Sequence, residues 1–262
     1  MTFENLKYEV TDNHVGVITL NRPEAMNSMS YELYMELEDA VRYADARVLI
    51  ITGEGRAFCA GDDVKQILGG TQGPPKESIA RGKRTYGLTA AAEAMLYSDI
   101  PIIAAVNGPA VGWGMEIALM ADIRIASEKA KFGELFVVRG LCCDAAGLGR
   151  LAQVVGRETA AELLFTGEVI DANRAKELRL VSRVVPHDQL MSTALTLADK
   201  IAANPPLAVK SIKAGLRRTL DPDWRDVGSW AIAQITTLRK TEDSIESVRS
   251  FLEKRTPTFV GR

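Results

Sequence analysis

The sequence predicts an α/β fold, on three observations. Short, nearly all-apolar runs recur through the first half: VGVITL (Val15 to Leu20), RVLIITG (Arg47 to Gly53) and IPIIAAVNG (Ile100 to Gly108). Segments with helically spaced apolar residues lie between them. From Asp144 onward the pattern is mainly helical. Repeated strand and helix units specify an α/β architecture rather than a bundle or a sandwich.

VGVITL reads as a strand closed by the turn NRPE. Ser30 to Tyr43 carries Leu33, Met35, Leu37 and Val41 on roughly one face, which predicts a helix. RVLIITG has the apolar character of a strand buried on both sides. GRAFCAGDDVKQ reads as a turn feeding a helix. Gln66 to Lys83, with GGTQGPP, reads as a mobile loop near a site, and Arg84 opens a helix reaching Leu96. IPIIAAVNG is a buried strand, and RIASEKAKFG reads as strand, turn, strand. LGRLAQVVG and ETAAELLFTG are helices that stop at glycine. ANRAKELRL is a short helix and VSRVVP a strand. The chain from His187 is helical, and Trp224 to Arg255 forms a charged amphipathic tail.

The chain has 262 residues, 47% of them hydrophobic, which suffices for one large domain or one with a small appendage. A net charge of −2 gives no reason to expect a polyanion or nucleic acid as partner. The polar start MTFENLKYEV lacks the pattern of a secretory signal, and no apolar run is long enough to span a bilayer. Three cysteines, two of them adjacent, argue against a disulfide framework and for a reducing, cytoplasmic setting. His14 and His187 give no nucleophilic triad. CxxC, HExxH and Walker patterns are missing from the sequence, so a metal centre is not expected.

The stretch GWGMEIALMADIRIAS (Gly112 to Ser127) places one acid, Glu116, at the mouth of an apolar segment. A helix starting near Trp113 leaves its first N–H groups without internal partners, and these favour negative charge. FCAGDD offers the same feature at Gly61, with Asp62 or Asp63 opening a helix. Two such N–H groups aimed at one spot form an oxyanion hole, and Glu116 beside it suits proton transfer next to an enolate. Each piece also has a plainer reading: Glu116 as an acid favoured by the helix dipole, and FCAGDD as an ordinary capping turn.

These residues, together with VGVITLNRPEAMNSMS, GRAFCAGDDVK, IPIIAAVNGPAVGWGMEIALMADIRIASEKAKFG, LLFTGEVIDANRAKELRLVSRVV and FLEKRTPTF, resemble the crotonase, or enoyl-CoA hydratase/isomerase, superfamily over nearly the whole chain. The resemblance implies a spiral of repeated ββα units over residues 1–200, followed by a helical oligomerisation region over 201–262. It implies a homotrimer or a hexamer made of two trimers. It also implies an acyl-CoA thioester substrate, no separate cofactor, and a thioester carbonyl held by the backbone N–H groups of Asp62 and Trp113. Ala60, Gly61 and Lys65 would contact coenzyme A; a solvated helix lysine is the alternative for Lys65.

Two departures from the family pattern bear on the reaction. Glu116 matches the first of the two hydratase glutamates, but the second aligns with Phe136. Glu134, two residues earlier, would share a strand face with position 136, roughly 6–7 Å away, and would need a backbone shift to substitute. Asp144 falls where some relatives, among them dienoyl-CoA isomerases and an aryl-CoA dehalogenase, carry a catalytic aspartate. Its alternative is helix N-cap for AAGLGRLAQ. Trp113 stands where glycine is usual; its indole goes into the core or lines the acyl pocket with Phe136. The expectation is therefore an acyl-CoA hydratase or isomerase using Glu116 and Asp144. The alternatives are a hydrolase or dehalogenase-like enzyme on a cyclic or aromatic acyl-CoA with Asp144 at its centre, and a non-catalytic CoA-ester binding protein.

Overall fold

The computed structural model describes residues 2–69 and 73–262. Its strands are β1 (Leu6–Val10), β2 (Val15–Leu20), β3 (Val48–Gly53), β4 (Ile102–Val106), β5 (Pro109–Val111), β6 (Ile123–Ser127), β7 (Lys131–Gly133), β8 (Ile170–Asp171) and β9 (Arg183–Val185). They form two sheets. The larger has the order β1-β2-β3-β4-β6-β9, and the smaller β5-β7-β8. In the larger sheet only β1 and β2 run antiparallel; the other neighbours are parallel.

The helices are α1 (Tyr31–Arg42), α2 (Lys76–Gly82), α3 (Ala90–Tyr97), α4 (Trp113–Met120), α5 (Ala145–Val155), α6 (Arg157–Thr166), α7 (Ala172–Glu177), α8 (Leu190–Ala202), α9 (Pro206–Leu220), α10 (Trp224–Leu238) and α11 (Glu242–Leu252). A spiral emerges from their order. β4 in the larger sheet leads to β5 in the smaller sheet and then to α4. β6 leads to β7 and onward to α5. The turn after β3 repeats the pattern in reduced form, because Cys59 bridges to Ala110 of β5 before a helical turn at Val64–Leu68. After β2, Met29 bridges to Asp62 before α1. Each turn therefore brings the start of a helix to the same edge of the smaller sheet.

Strand β3 shows why its sequence is apolar throughout. Leu49 and Ile51 face the main core with Phe58, Ile117 and Leu119. Val48 and Ile50 face the opposite side, where Leu190, Ala194 and Ala198 of α8 cover the sheet. Alternate residues point to opposite faces, and here both faces are dry.

Several elements differ from the sequence reading. RIASEKAKFG does hold two strands, but β6 and β7 lie in different sheets and do not pair with each other. The stretch read as a loop from Gln66 to Lys83 contains α2, and its residues 70–72 lie outside the described residues. The helix expected to open at Arg84 begins only at Ala90. Gly87 has φ +91°, a left-handed conformation that interrupts a helix, and Thr89 then caps α3 through the Ala92 N–H. The charged tail is two helices, α10 and α11, broken at residues 239–241. Trp224 is buried against Gly149, and its indole N–H donates to Asp221 at 2.9 Å. That aspartate also pairs with Arg150 at 2.7 Å, so the C-terminal region is tied to α5 of its own chain.

Candidate active site

Two bends of the main chain come together at the edge of the smaller sheet. The first is FCAGDD. Asn27 and Asn107 hold its approach by donating to the carbonyls of Glu54, Gly55 and Ala57. Met29 donates its N–H to Gly61, Asp63 donates to Met29, and Ala60 donates to Met26. Gly61 has φ +86°, a conformation suited to glycine, and Asp63 caps the following helical turn through the N–H groups of Lys65 and Gln66. The second bend is Gly112, with φ +52°, whose N–H donates to Gly133 at 2.8 Å.

The bends touch. A Cβ on Gly61 would lie 3.5 Å from the Trp113 nitrogen and 3.6 Å from the Gly112 Cα. A Cβ on Gly114 would collide with the Cys59 carbonyl oxygen at 2.0 Å. Among the described hydrogen bonds, neither the Asp62 N–H nor the Trp113 N–H has an acceptor. Two unspent backbone donors at adjoining bends are the elements of an oxyanion-binding pair.

Glu116, on the first turn of α4, is 1% exposed. Its carboxylate reaches α5. Oε2 accepts the Ala146 N–H at 3.0 Å, and the Gly147 N–H is shared between Oε1 at 3.0 Å and Oε2 at 3.1 Å. These are the N–H groups that an N-cap side chain ordinarily satisfies. Glu116 thus caps α5 from another helix. Asp144 occupies the N-cap position with extended backbone, but its side chain makes no capping bond. The alternative reading of Asp144 as a simple helix cap therefore fails for its side chain.

Asp144 faces empty space instead. A cavity of about 400 Å³ is lined by Tyr34, Asp62, Phe136, Leu141, Asp144 and Ile235, among others. A narrow inner cleft of about 10 Å³ is lined by Trp113, Glu116, Leu88 and Gly228, and again by Asp144. Asp144 borders both spaces. Burial, then the charge of Asp62, push its carboxyl up to about 7, while the Trp113 indole acts to lower it. Burial, then the neighbouring Glu134 and Asp144 carboxyls, hold Glu116 well above the usual carboxylate range; the Gly147 and Ala146 N–H groups oppose them.

The Trp113 indole is 1% exposed and meets the Tyr34 ring edge-on, with centroids 4.5 Å apart and planes at 74°. It lines the inner cleft, whereas Phe136 lines the larger cavity. The Tyr34 hydroxyl donates to Asp62 Oδ1 at 2.6 Å. Burial raises the Asp62 carboxyl, with Tyr34 and Arg239 opposing. Ala60 and Gly61 lie within the first bend, and Lys65 is exposed on the helical turn that follows.

Glu134 is the residue that sequence reasoning misplaced. Strand β7 ends at Gly133, and the chain turns at once into a short 3-10 segment at Val137–Arg139. Glu134 and Phe136 therefore do not share a strand face. Phe136 lines the larger cavity, whereas Glu134 is driven inward, 1% exposed, with both carboxylate oxygens buried and unpartnered. A strand assumed one turn too long hid this.

With this spiral and these paired bends in view, the comparisons are specific. Residues 10–262 match the family described as enoyl-CoA hydratase/isomerase. The chain belongs to that family and is an acyl-CoA-processing enzyme of the crotonase type. Among its relatives, the 2,3-dehydroadipyl-CoA hydratase of Escherichia coli strain K12 is 37% identical, over 95% of this chain and 96% of that one. The (E)-benzylidenesuccinyl-CoA hydratase of Thauera aromatica is 38% identical, over 95% and 96%. Among solved structures, an enoyl-CoA hydratase/isomerase from Pseudoalteromonas atlantica T6c matches with a TM-score of 0.87 and 30% identity, over 98% of this chain and all of that one. A carnitinyl-CoA hydratase from Mycobacterium avium matches with a TM-score of 0.85 and 33% identity over 100% of both chains.

Proposed function

We propose that the Asp62 and Trp113 N–H groups hold the thioester oxygen of an acyl-CoA, and that Asp144 moves the proton at the acyl carbons beyond it. The observation that carries this reading is the Asp144 side chain, which spends nothing on its own helix. It stands at a helix N-terminus without capping it, lies within reach of the Trp113 indole, and borders both the larger cavity and the inner cleft. Developing negative charge on the thioester oxygen is stabilised by the two amides, which lowers the barrier to forming the enolate. A carboxyl that titrates near neutrality is suited to accept a proton and return it. Glu116, fixed from α4 at the inner cleft, is the second acid of the site.

Phe136 stands where the second hydratase glutamate is expected, so the reading favours double-bond isomerisation, or hydration of an unusual enoyl-CoA, over ordinary hydration. The aromatic lining from Tyr31, Tyr34 and Phe136 suits a bulky or cyclic acyl group. Lys65, exposed beside the carbonyl-binding bend together with Ala60 and Gly61, suits contact with coenzyme A. No resident cofactor or metal takes part in this scheme. A trimer, or two trimers stacked, accounts for Leu207, Ile212, Leu216 and Leu220 standing exposed along α9.

Purified enzyme offered crotonyl-CoA, a 3-enoyl-CoA and a cyclic enoyl-CoA tests the proposal. Turnover of one of them that is lost in Asp144→Asn, with CoA-ester binding retained, supports it. Release of free acid, or a covalent adduct at Asp144, would assign that residue to nucleophilic chemistry instead. Light scattering tests the oligomer.

A further inference from the structure

Glu134 sits in a place where a carboxylate is expensive. Its two oxygens are buried without a hydrogen-bond partner. Its neighbour across the gap is Glu116. A Cβ built on Gly147 would lie 2.7 Å from Glu116 Oε1 and 3.2 Å from Glu134 Oε1, so the two oxygens flank one small space above that glycine. They are no further apart than the sum of those distances. Two ionised carboxylates so close in a dry interior repel strongly, and such pairs keep a proton.

The donors around each carboxyl decide where that proton sits. Glu116 receives two backbone N–H groups, which favour its charged form. Glu134 receives none. We infer that Glu134 is a positioning residue that retains a proton at neutral pH and donates it towards Glu116, so that the pair carries one negative charge instead of two. The titratable groups that face it are Glu116 from α4, and Cys143 and Asp144 from the segment leading into α5. Burial and the Asp144 charge both push the Glu134 carboxyl up, in keeping with the geometry. The proton comes from solvent during folding and is returned on unfolding; no other reactant is needed. Because Glu116 holds the amides of α5, a neutral Glu134 keeps the helix start in place and leaves Asp144 as the carboxyl that titrates in the working range. The functional part of this inference rests on the reading of Asp144 and Glu116 given above, whereas the proton itself does not.

The experiment measures unfolding free energy against pH for the full chain without substrate, in wild type, Glu134→Gln and Glu116→Gln. A proton held only by the folded state makes stability fall as pH rises above the ordinary carboxylate value, until the folded-state value is passed. Asp144 titrates in all three proteins, so the reading is the difference between their curves and not the slope of any one of them. Glu134→Gln is expected to flatten the curve, because the amide supplies the donor without titrating. Glu116→Gln is expected to keep the Glu134 part of the slope. Parallel curves for wild type and Glu134→Gln would overturn the inference. Should that variant fail to fold, isotope-edited infrared spectroscopy of glutamate-labelled Glu116→Gln decides: a protonated-carboxyl band at neutral pH supports the inference, and its absence overturns it.

Activity adds the positioning readout. Glu134→Leu is expected to lower kcat by about tenfold, the effect of a one-unit mismatch in a titrating group, and to shift the pH profile with KM little changed. Glu134→Gln is expected to restore both. Equal pH profiles in the two variants would reduce Glu134 to packing. Full turnover in Asp144→Asn would remove the catalytic reading while leaving the stability result intact.

Discussion

Glu116 caps the helix that Asp144 begins. Its carboxylate takes the Ala146 and Gly147 N–H groups at 3.0 Å, and the aspartate at the N-cap position is left with no bond to its own helix. The exchange settles two questions raised by the sequence. An acid stands at the mouth of an apolar segment because it serves a second helix thirty residues on. An aspartate followed by small residues fails to cap because the amides are already occupied.

Asp144→Asn tests the consequence most directly. No capping bond is lost, and the amide removes the cost of ionising a buried carboxyl, so the melting temperature is expected to be little changed at low pH and to rise above that of wild type at neutral pH. Turnover is expected to fall by about 10²–10⁴, the range for removing a positioned acid or base, with KM little changed. Steady-state kinetics together with thermal denaturation check both halves.

The pH dependence follows from the same group. With its carboxyl pushed up to about 7, Asp144 acts as a base only when deprotonated. kcat/KM of the free enzyme is therefore expected to rise as pH increases through about 7 and then to level off. Stability runs the other way: the folded-state value lies above the ordinary 3.8, so the Asp144 contribution weakens between about 4 and about 7. A pH–rate profile set beside pH-dependent melting would show the opposed trends.

Glu116→Leu is expected to be far more damaging to stability than Asp144→Asn. It leaves the Ala146 and Gly147 N–H groups buried and unpaired, at about 1–3 kcal/mol each. Glu116→Gln keeps an acceptor oxygen and is expected to recover much of that loss. Chemical denaturation of the two variants checks the order.

Gly114→Ala probes the two bends proposed to hold the thioester oxygen without touching a titrating group. The added methyl meets the Cys59 carbonyl oxygen at 2.0 Å, so the FCAGDD bend has to move away from Gly112. Overpacking of this kind costs about 1–3 kcal/mol. Displacing one oxyanion donor is expected to lower kcat by about 10²–10³. Kinetics on whichever CoA ester the wild type turns over provide the measurement.

Sequence patterns reveal what depends on local chemistry. The apolar strands, the glycine stops at Gly156 and Gly167, and the two bends are local in origin and were legible. So was the arrangement of Glu116 and Asp144 near one site, through the family resemblance. Glu134 was not. Its inward path depends on β7 ending at Gly133, which is fixed by pairing with β5 and β8 rather than by the residues that follow. Nor could the chain announce that Glu116 would reach α5, since that bond joins residues distant in sequence. The share of the cavity wall supplied by Ile232 and Ile235 of α10, and by Arg239 just after it, was hidden for the same reason: an amphipathic stripe shows that a helix packs, not against what.

The adjacency of Gly61 and Trp113 has a consequence for how the molecule matures. On the proposed reading, segments about fifty residues apart must meet before the two amides share a target, so a fragment holding only one bend is expected not to recognise the thioester oxygen. Coenzyme A esters are then expected to favour the folded chain, and raising their concentration should lift the unfolding midpoint by mass action. Ligand-dependent protection from proteolysis would then count completed molecules.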